Sequence, residues 1–183
     1  WPTALANLGL DLRGKIAEGA EEGRAVARLT DLGYGQHVRD LFRVGTPDGP
    51  VPVPLAKAVV ELLGDWHPEW PARPEGIVFV ESATRPTLTR DFADGMARYL
   101  KIPVVGCWAI ADPSVAPGQG ATNSAQRVAA VHRRFRLEGE IPAAPVLLLD
   151  DLVGTGWTLT LAARALRAAG ATAVLPLTLA TES

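Results

Sequence analysis

One stretch of this 183-residue sequence decides its fold: Val146-Leu-Leu-Leu-Asp150-Asp151-Leu-Val-Gly154-Thr155-Gly156-Trp157-Thr158. The apolar run predicts a buried strand of a parallel sheet, and the small residues after the two aspartates predict a turn into a helix. Backbone N–H groups and the helix N-terminus can hold an anion at such a turn. The carboxylates beside it accept hydrogen bonds from sugar hydroxyls, and they could also hold Mg²⁺ directly or through water. A ribose phosphate satisfies both halves, whereas a turn that only caps a helix leaves the two acids unexplained.

The rest of residues 51–183 alternates between strand and helix patterns. Apolar runs at 76–80, 104–110 and 174–179 predict three more strands, and helical spacing predicts helices at 55–63, 88–100 and 158–169. A short helix capped by Asn123 or Ser124 is also expected, and Pro176 predicts that the last strand lies at a sheet edge. This alternation predicts an α/β fold of three Rossmann-like layers, a mainly parallel sheet flanked by helices.

Residues 1–50 differ from the rest of the chain in composition and in hydrophobic pattern. They are rich in glycine, with helical patterns near 26–29 and 38–42, and they end in the turn sequence Thr46-Pro-Asp-Gly-Pro50. We expect a partly helical N-terminal extension or linker over 1–50 and a single α/β domain over 51–183.

Composition excludes several classes of protein. The 18 basic and 20 acidic residues give a net charge of −2, which provides no general attraction to nucleic acid or anionic membrane. One cysteine cannot form an internal disulfide, and no apolar run approaches the roughly 20 residues of a membrane helix. We therefore expect a cytoplasmic location. The chain begins with Trp1 rather than methionine, which fits either a trimmed chain or a piece of a longer protein.

Two further loops follow predicted strands, and ligands of α/β folds bind at the carboxyl ends of strands. Ser82, Ala83, Thr84 and Arg85 combine small residues with a guanidinium that can pair with phosphate oxygens, although a helix cap at Thr87 or Thr89 beside a solvated arginine is the alternative. The loop at 111–123 leads into a segment with four arginines, at positions 127, 133, 134 and 136. These could form a cationic flap for polyphosphate or nucleic acid, or simply an exposed helix face that lacks acids.

The strand, the acid pair and the small-residue loop resemble the phosphoribosyl-pyrophosphate (PRPP) signature of type I phosphoribosyltransferases. Trp157 departs from the small residue usual there, and the second strand lacks the lysine or arginine that commonly holds pyrophosphate. The resemblance implies a phosphoribosyltransferase fold in which Asp150 and Asp151 face the ribose hydroxyls and, with Arg85, serve catalysis. It implies that the 5′-phosphate is cradled by Val153, Gly154, Thr155, Gly156, Trp157 and Thr158. It also implies a pyrophosphate loop made of Ser82, Ala83, Thr84 and Arg85, and Mg²⁺ carried by PRPP near the acid pair.

Other segments carry further resemblances. Asn123, Ser124, Gln126 and Arg127 fall where the family places its flexible loop and resemble the equivalent segment of ComF-like phosphoribosyltransferases. Together with Leu10-Asp-Leu-Arg-Gly-Lys-Ile16 and the run from Asp150 to Thr160, they resemble the phosphoribosyltransferase-like C-terminal domains of actinobacterial-type RecQ-family ATP-dependent DNA helicases, in which Trp157 is expected. No triphosphate-binding P-loop occurs in the chain, so the resemblance implies a helicase module upstream of Trp1.

Three functions follow from these resemblances as expectations. The first is an accessory domain that binds PRPP, ribose 5-phosphate or a nucleotide monophosphate and meets DNA through the upstream helicase, with a role in DNA repair. The second is an active Mg²⁺-dependent transferase that joins a base to PRPP and releases pyrophosphate. The third is a structural docking domain, with a homodimer as one form.

Overall fold

A single six-stranded sheet organises the residues that the computed structural model describes, which are 19–115 and 124–182. Its order is β1-β6-β5-β2-β3-β4, and only β3 and β4 pair antiparallel. The strands are β1 (Arg24–Arg28), β2 (Gly76–Val80), β3 (Val104–Ile110), β4 (Phe135–Gly139), β5 (Pro145–Val153) and β6 (Ala173–Thr181). Asn123 and the segment at 10–16 lie outside the described residues.

Helices cover both faces of the sheet. They are α1 (Tyr34–Phe42), α2 (Val53–Trp66), α3 (Pro86–Leu100), α4 (Ser124–Arg134) and α5 (Trp157–Ala168), with a short 3₁₀ helix at His67–Glu69. Buried residues of α1, α2 and α3 share one apolar cluster, and those of α4 and α5 share another. The predicted three-layer α/β arrangement with a mainly parallel sheet is confirmed. None of the described helices combines the length and apolar character needed to cross a bilayer.

The two apolar clusters meet at the central strands. In β5, Leu147 and Leu149 face the α1–α3 side, whereas Val146 and Leu148 face the α4–α5 side, and all four are at most 1% exposed. Alternate residues of a strand point to opposite faces, so a strand buried on both faces needs a continuous apolar run. The run that begins the decisive stretch therefore fixes β5 in the middle of the molecule.

The expectation that the last strand lies at an edge was wrong. β6 lies between β1 and β5, and it pairs with both. Pairing with β1 starts at Leu177, opposite Arg24, one residue after Pro176. At Pro176 the neighbouring backbone is Gly23, which approaches so closely that a Cβ there would lie 3.0 Å from the proline ring. The missing N–H of Pro176 is thus accommodated where the β1 ladder has not yet begun.

Both edge strands of the sheet escaped the sequence analysis. Residues near 26–29 were expected to be helical, but Arg24–Arg28 pairs with β6, because pairing to an open sheet edge outweighs a weak local pattern. β4 follows α4 directly, and its five residues carry too little alternation to predict a strand. Val38 and Leu41 of α1 are buried in the same cluster as Leu55 of α2, so residues 24–42 pack into the core of the main sheet.

Replacing Gly106 tests the close approach of β3 and β4. A Cβ at Gly106 would lie 2.3 Å from the backbone oxygen of Glu138, so Gly106→Ala must push the strands apart. We expect a loss of about 1–3 kcal/mol in the free energy of unfolding. Gly64→Ala in α2 is the matched control, since no atom lies within 4 Å of the added methyl, and it should gain up to about 1 kcal/mol. A urea midpoint for Gly106→Ala at or above that of the wild type would contradict this packing.

Candidate functional site

Three loops meet at the carboxyl end of the parallel strands, which we call the site edge of the sheet. β5, β2 and β3 are neighbours and run parallel, so the segments that follow them leave from the same side. The segments that follow β2 and β3 begin at Glu81 and Ala111, and the segment that follows β5 begins at Gly154, shortly after the acid pair. The site edge therefore gathers the acid pair, the Arg85 loop and the loop after β3, as expected for ligand sites in α/β folds.

Asp150 and Asp151 belong to β5 itself, near its carboxyl end, rather than to the loop after it. Asp150 is only 7% exposed, and Asp151 is half-buried. The backbone N–H of Asp151 donates to Oδ1 of Asp150 at 2.9 Å, and the N–H of Leu152 donates to Oδ1 of Asp151 at 2.8 Å. The backbone therefore holds both carboxyl groups, leaving further acceptor positions on each for a ligand.

Burial and mutual repulsion shift the titration of this pair. Burial raises the pKa of Asp150 well above its ordinary value, and the neighbouring charge of Asp151 raises it further. Burial also raises the pKa of Asp151, against the lowering effects of hydrogen bonds from Asp150 and Leu152 and of the positive charge of Arg85. Two carboxyl groups so placed favour sharing a proton, and hydroxyl donors or a cation would relieve their repulsion.

The turn after β5 presents free backbone donors. Residues 154–156 form a bend, and Gly156, at φ 78°, adopts a left-handed conformation that favours glycine. The helix α5 then begins at Trp157 without a side-chain cap, so its first N–H groups are open to an anion. Trp157 is half-buried and packs against the α4–α5 apolar cluster, which anchors the start of the helix.

A carboxylate that the sequence analysis missed lies against this turn. The N–H of Glu182 donates to the backbone oxygen of Val153 at 2.9 Å and extends the pairing of β5 with β6. A Cβ placed on Gly154 would lie 2.9 Å from Oε2 of Glu182. A single acid beyond a strand has no pattern of its own, so only the register of β5 and β6 reveals this neighbour.

Arg85 lies in the loop between β2 and α3, at the start of that helix. Its backbone N–H donates to Oγ of Ser82 at 3.1 Å, and its guanidinium carbon lies 5.3 Å from the ring centre of Phe42 in α1. Burial raises the pKa of Asp151, and the positive charge of Arg85 opposes part of that rise. Ala83 and Thr84, which lie between Ser82 and Arg85 in the sequence, are exposed. Phe42 supports the guanidinium through a cation–π contact, at the same end of the sheet as the acid pair.

The helix after this loop is capped from a distance. Oδ2 and Oδ1 of Asp48 accept hydrogen bonds from the N–H groups of Thr87 (2.8 Å) and Leu88 (3.1 Å). Partial desolvation acts in the opposite direction, but these hydrogen bonds hold the pKa of Asp48 below its ordinary value. Sequence analysis offered Thr87 or Thr89 as the cap, because a partner about forty residues upstream carries no local signal.

The expected flexible-loop residues are described only in part. Gln126 is exposed on α4, Ser124 and Arg127 belong to the same helix, and Asn123 lies outside the described residues. The described arginines of this region do not share one exposed face. Arg134 is only 6% exposed, and Arg136 forms an ion pair with Glu138 at 2.6 Å.

Arg134 instead supports the loop after β3. Its backbone oxygen accepts hydrogen bonds from the N–H groups of Ala111 and Asp112, and its guanidinium donates to the backbone oxygen of Val115. The guanidinium also lies over the ring of Phe135, at 5.6 Å. A basic side chain therefore lies behind the β3 loop even though β3 itself carries none, and its position at the end of α4 concealed it in the sequence.

Comparisons with known proteins extend this description. The family model for the phosphoribosyl transferase domain matches residues 89–181, just over half of the chain. A UMP synthase from Leishmania donovani aligns with a TM-score of 0.41 and 20% identity over 69% of this chain, which spans 21% of that chain. An adenine phosphoribosyltransferase from Leishmania tarentolae aligns with a TM-score of 0.47 and 16% identity over 72% of each chain. No curated protein sequence matches.

Removing one buried acid should stabilise the protein. Because the folded-state pKa of Asp150 is raised, the wild type loses stability as pH rises from the unfolded-state pKa of about 4 through the higher folded-state value. Asp150→Asn removes that loss, so at pH 7.5 we expect a gain of about 1–2 kcal/mol. The gain should shrink towards pH 4, where both forms are neutral. Thermal melts from pH 4 to 8 measure this difference.

Asp65→Asn is the control for this prediction, since Asp65 is exposed. It should leave the pH dependence of the wild type unchanged. A melting temperature for Asp150→Asn below that of the wild type at pH 7.5 would show that the ionised pair is stabilised in the free protein.

Proposed function

Because this chain belongs to the phosphoribosyl transferase domain family, we propose that it binds PRPP, ribose 5-phosphate or a nucleotide monophosphate at the edge formed by β5 and β2. One observation supports this more than any other. A buried pair of repelling carboxyl groups directly precedes a helix N-terminus that has no side-chain cap. Hydroxyl groups can donate hydrogen bonds to the carboxyl pair, and an anion suits the uncapped helix N-terminus. A ribose 5-phosphate carries hydroxyls and a phosphate at adjacent positions.

Each group of residues has a role in this proposal. Asp150 and Asp151 accept hydrogen bonds from the ribose hydroxyls. The backbone N–H groups of residues 153–158, with the hydroxyls of Thr155 and Thr158, bind the 5′-phosphate. Arg85 lies on the side of the pair towards β2, where its charge can meet the pyrophosphate of PRPP.

Mg²⁺ fits the proposal as a companion of PRPP. In the described ranges, no group of three or more His, Cys, Asp or Glu side chains could hold a metal ion. Asp150 and Asp151 supply two carboxylates, which suit a cation that keeps most of its waters and binds substrate phosphates. When bound, Mg²⁺ would neutralise part of the pyrophosphate charge.

An active transferase is the second candidate, and the position of Arg85 in the loop after β2, the strand beside β5, favours it. In that reaction a base nitrogen forms a bond to the anomeric carbon while the bond from that carbon to pyrophosphate breaks, and pyrophosphate leaves with the electron pair. Positioning and charge stabilisation would supply most of the catalysis. β3 carries no basic residue, and the guanidinium of Arg134 is engaged by Val115, so binding without transfer is the primary proposal.

The resemblance to RecQ-type helicase C-terminal domains supplies a biological setting for the binding proposal. In this setting the domain is an accessory module that responds to a ribose phosphate while an attached helicase works on DNA. A gel-shift titration with single-stranded DNA at low salt tests whether the domain itself contacts DNA. The absence of any shift would confine DNA binding to the helicase.

Calorimetry of the wild type and of Asp150→Asn/Asp151→Asn tests the binding site. With PRPP and Mg²⁺, the wild type should bind, and the double variant should lose at least about a hundredfold in affinity, because each of the two removed charge-assisted hydrogen bonds contributes about 1.5–3 kcal/mol. The variant should melt no lower than the wild type, which separates loss of ligand from loss of fold.

Three ligands and one assay distinguish the two candidate functions. If the wild type binds neither PRPP, ribose 5-phosphate nor a nucleotide monophosphate, the proposed site is wrong. If PRPP binds, pyrophosphate release measured over a panel of purine and pyrimidine bases separates the candidates. Release that depends on one base supports the transferase, and no release above the rate of the double variant supports the binding module.

A further inference from the structure

The turn proposed to hold the 5′-phosphate already has a negative charge beside it. The carboxylate of Glu182 lies close to Gly154, with Oε2 2.9 Å and Oε1 3.7 Å from the position of a Cβ on that glycine. The backbone of Glu182 is fixed there by its hydrogen bond to Val153. Any anion bound to the N–H groups of this turn would lie within several ångströms of the carboxylate.

A comparison with Asp48 shows what kind of group Glu182 is. Asp48 also lies at the start of a helix, but its carboxylate accepts hydrogen bonds from Thr87 and Leu88 and so belongs to the fold. Within the described part of the chain, the Glu182 carboxylate accepts no such bond, and the residue is exposed. The Glu182 side chain is therefore held near the turn by its backbone alone and acts on a ligand through its charge.

We propose that Glu182 is a specificity-determining residue that lowers the affinity of the 153–158 turn for doubly charged phosphate esters. The inference rests on the proposed function, since it concerns the same turn. Two like charges several ångströms apart in a solvated site repel by an amount that scales with the charge of the ligand. A phosphate monoester with two charges is disfavoured most, whereas an uncharged sugar is unaffected.

This charge effect differs from a purely structural role of Glu182. The strand pairing uses the backbone N–H of Glu182, which Glu182→Gln retains. If the side chain only supported the turn, its replacement would weaken ligand binding or leave it unchanged. The proposal instead predicts that removing the charge makes binding tighter, a result that loss of support cannot produce.

Calorimetric titration with ribose 5-phosphate at low salt tests the proposal. Glu182→Gln should bind roughly three- to tenfold more tightly than the wild type, and 1 M salt should narrow the difference. Glu140→Gln makes the same charge change at an exposed residue beyond β4, and it should match the wild type. Glu182→Ala should behave like Glu182→Gln, which guards against an effect peculiar to glutamine. Ribose without phosphate should not distinguish Glu182→Gln from the wild type.

The outcomes separate this inference from the proposed function. If the wild type binds ribose 5-phosphate and both Glu182 variants bind it equally or more weakly, the inference is overturned while the site stands. If the wild type binds PRPP and only the Glu182 variants bind ribose 5-phosphate measurably, both are supported. If neither the wild type nor any variant binds ribose 5-phosphate or PRPP, the proposed site fails and the inference fails with it.

Discussion

The repulsion between Asp150 and Asp151 is the constraint around which this molecule is arranged. The apolar run of β5 is buried on both faces and carries the two acids to the sheet edge, where neither can be fully hydrated. Backbone hydrogen bonds and the charge of Arg85 offset part of this cost. Unfavourable electrostatics in a free site that a ligand can relieve are common at functional sites.

The local part of the site could be predicted from sequence because it is contiguous. The strand, the acid pair and the turn into α5 lie within thirteen residues, and each residue type has a physical reason to stand where it does. The Arg85 loop is distant in sequence, but it could be placed beside this stretch because the carboxyl ends of neighbouring parallel strands meet at one end of the sheet.

The rest of the site is made by contacts between distant parts of the chain. Asp48 caps α3 and Phe42 supports Arg85 through contacts between segments far apart in the chain. Glu182 approaches Gly154 because the register of β5 and β6 brings the ends of these strands together. Edge strands were missed for a related reason, since β1 and β4 owe their form to the neighbour they pair with rather than to their own pattern. Arg134 shows the converse case, in which a residue with a surface-like sequence context is buried against Phe135.

Because Asp48 caps α3, the N-termini of the two helices beside the site differ in their electrostatic potential. Of the two helices that start here beside β2 and β5, α3 has its first N–H groups hydrogen-bonded to the carboxylate of Asp48. Among the described residues α5 has no side-chain cap, and the carboxylate of Glu182 lies near the turn before it without capping it. An anionic group therefore meets open N–H groups at the start of α5 and N–H groups already engaged by a carboxylate at the start of α3. This difference between the two helix starts favours one direction for a ligand that carries an anion at one end.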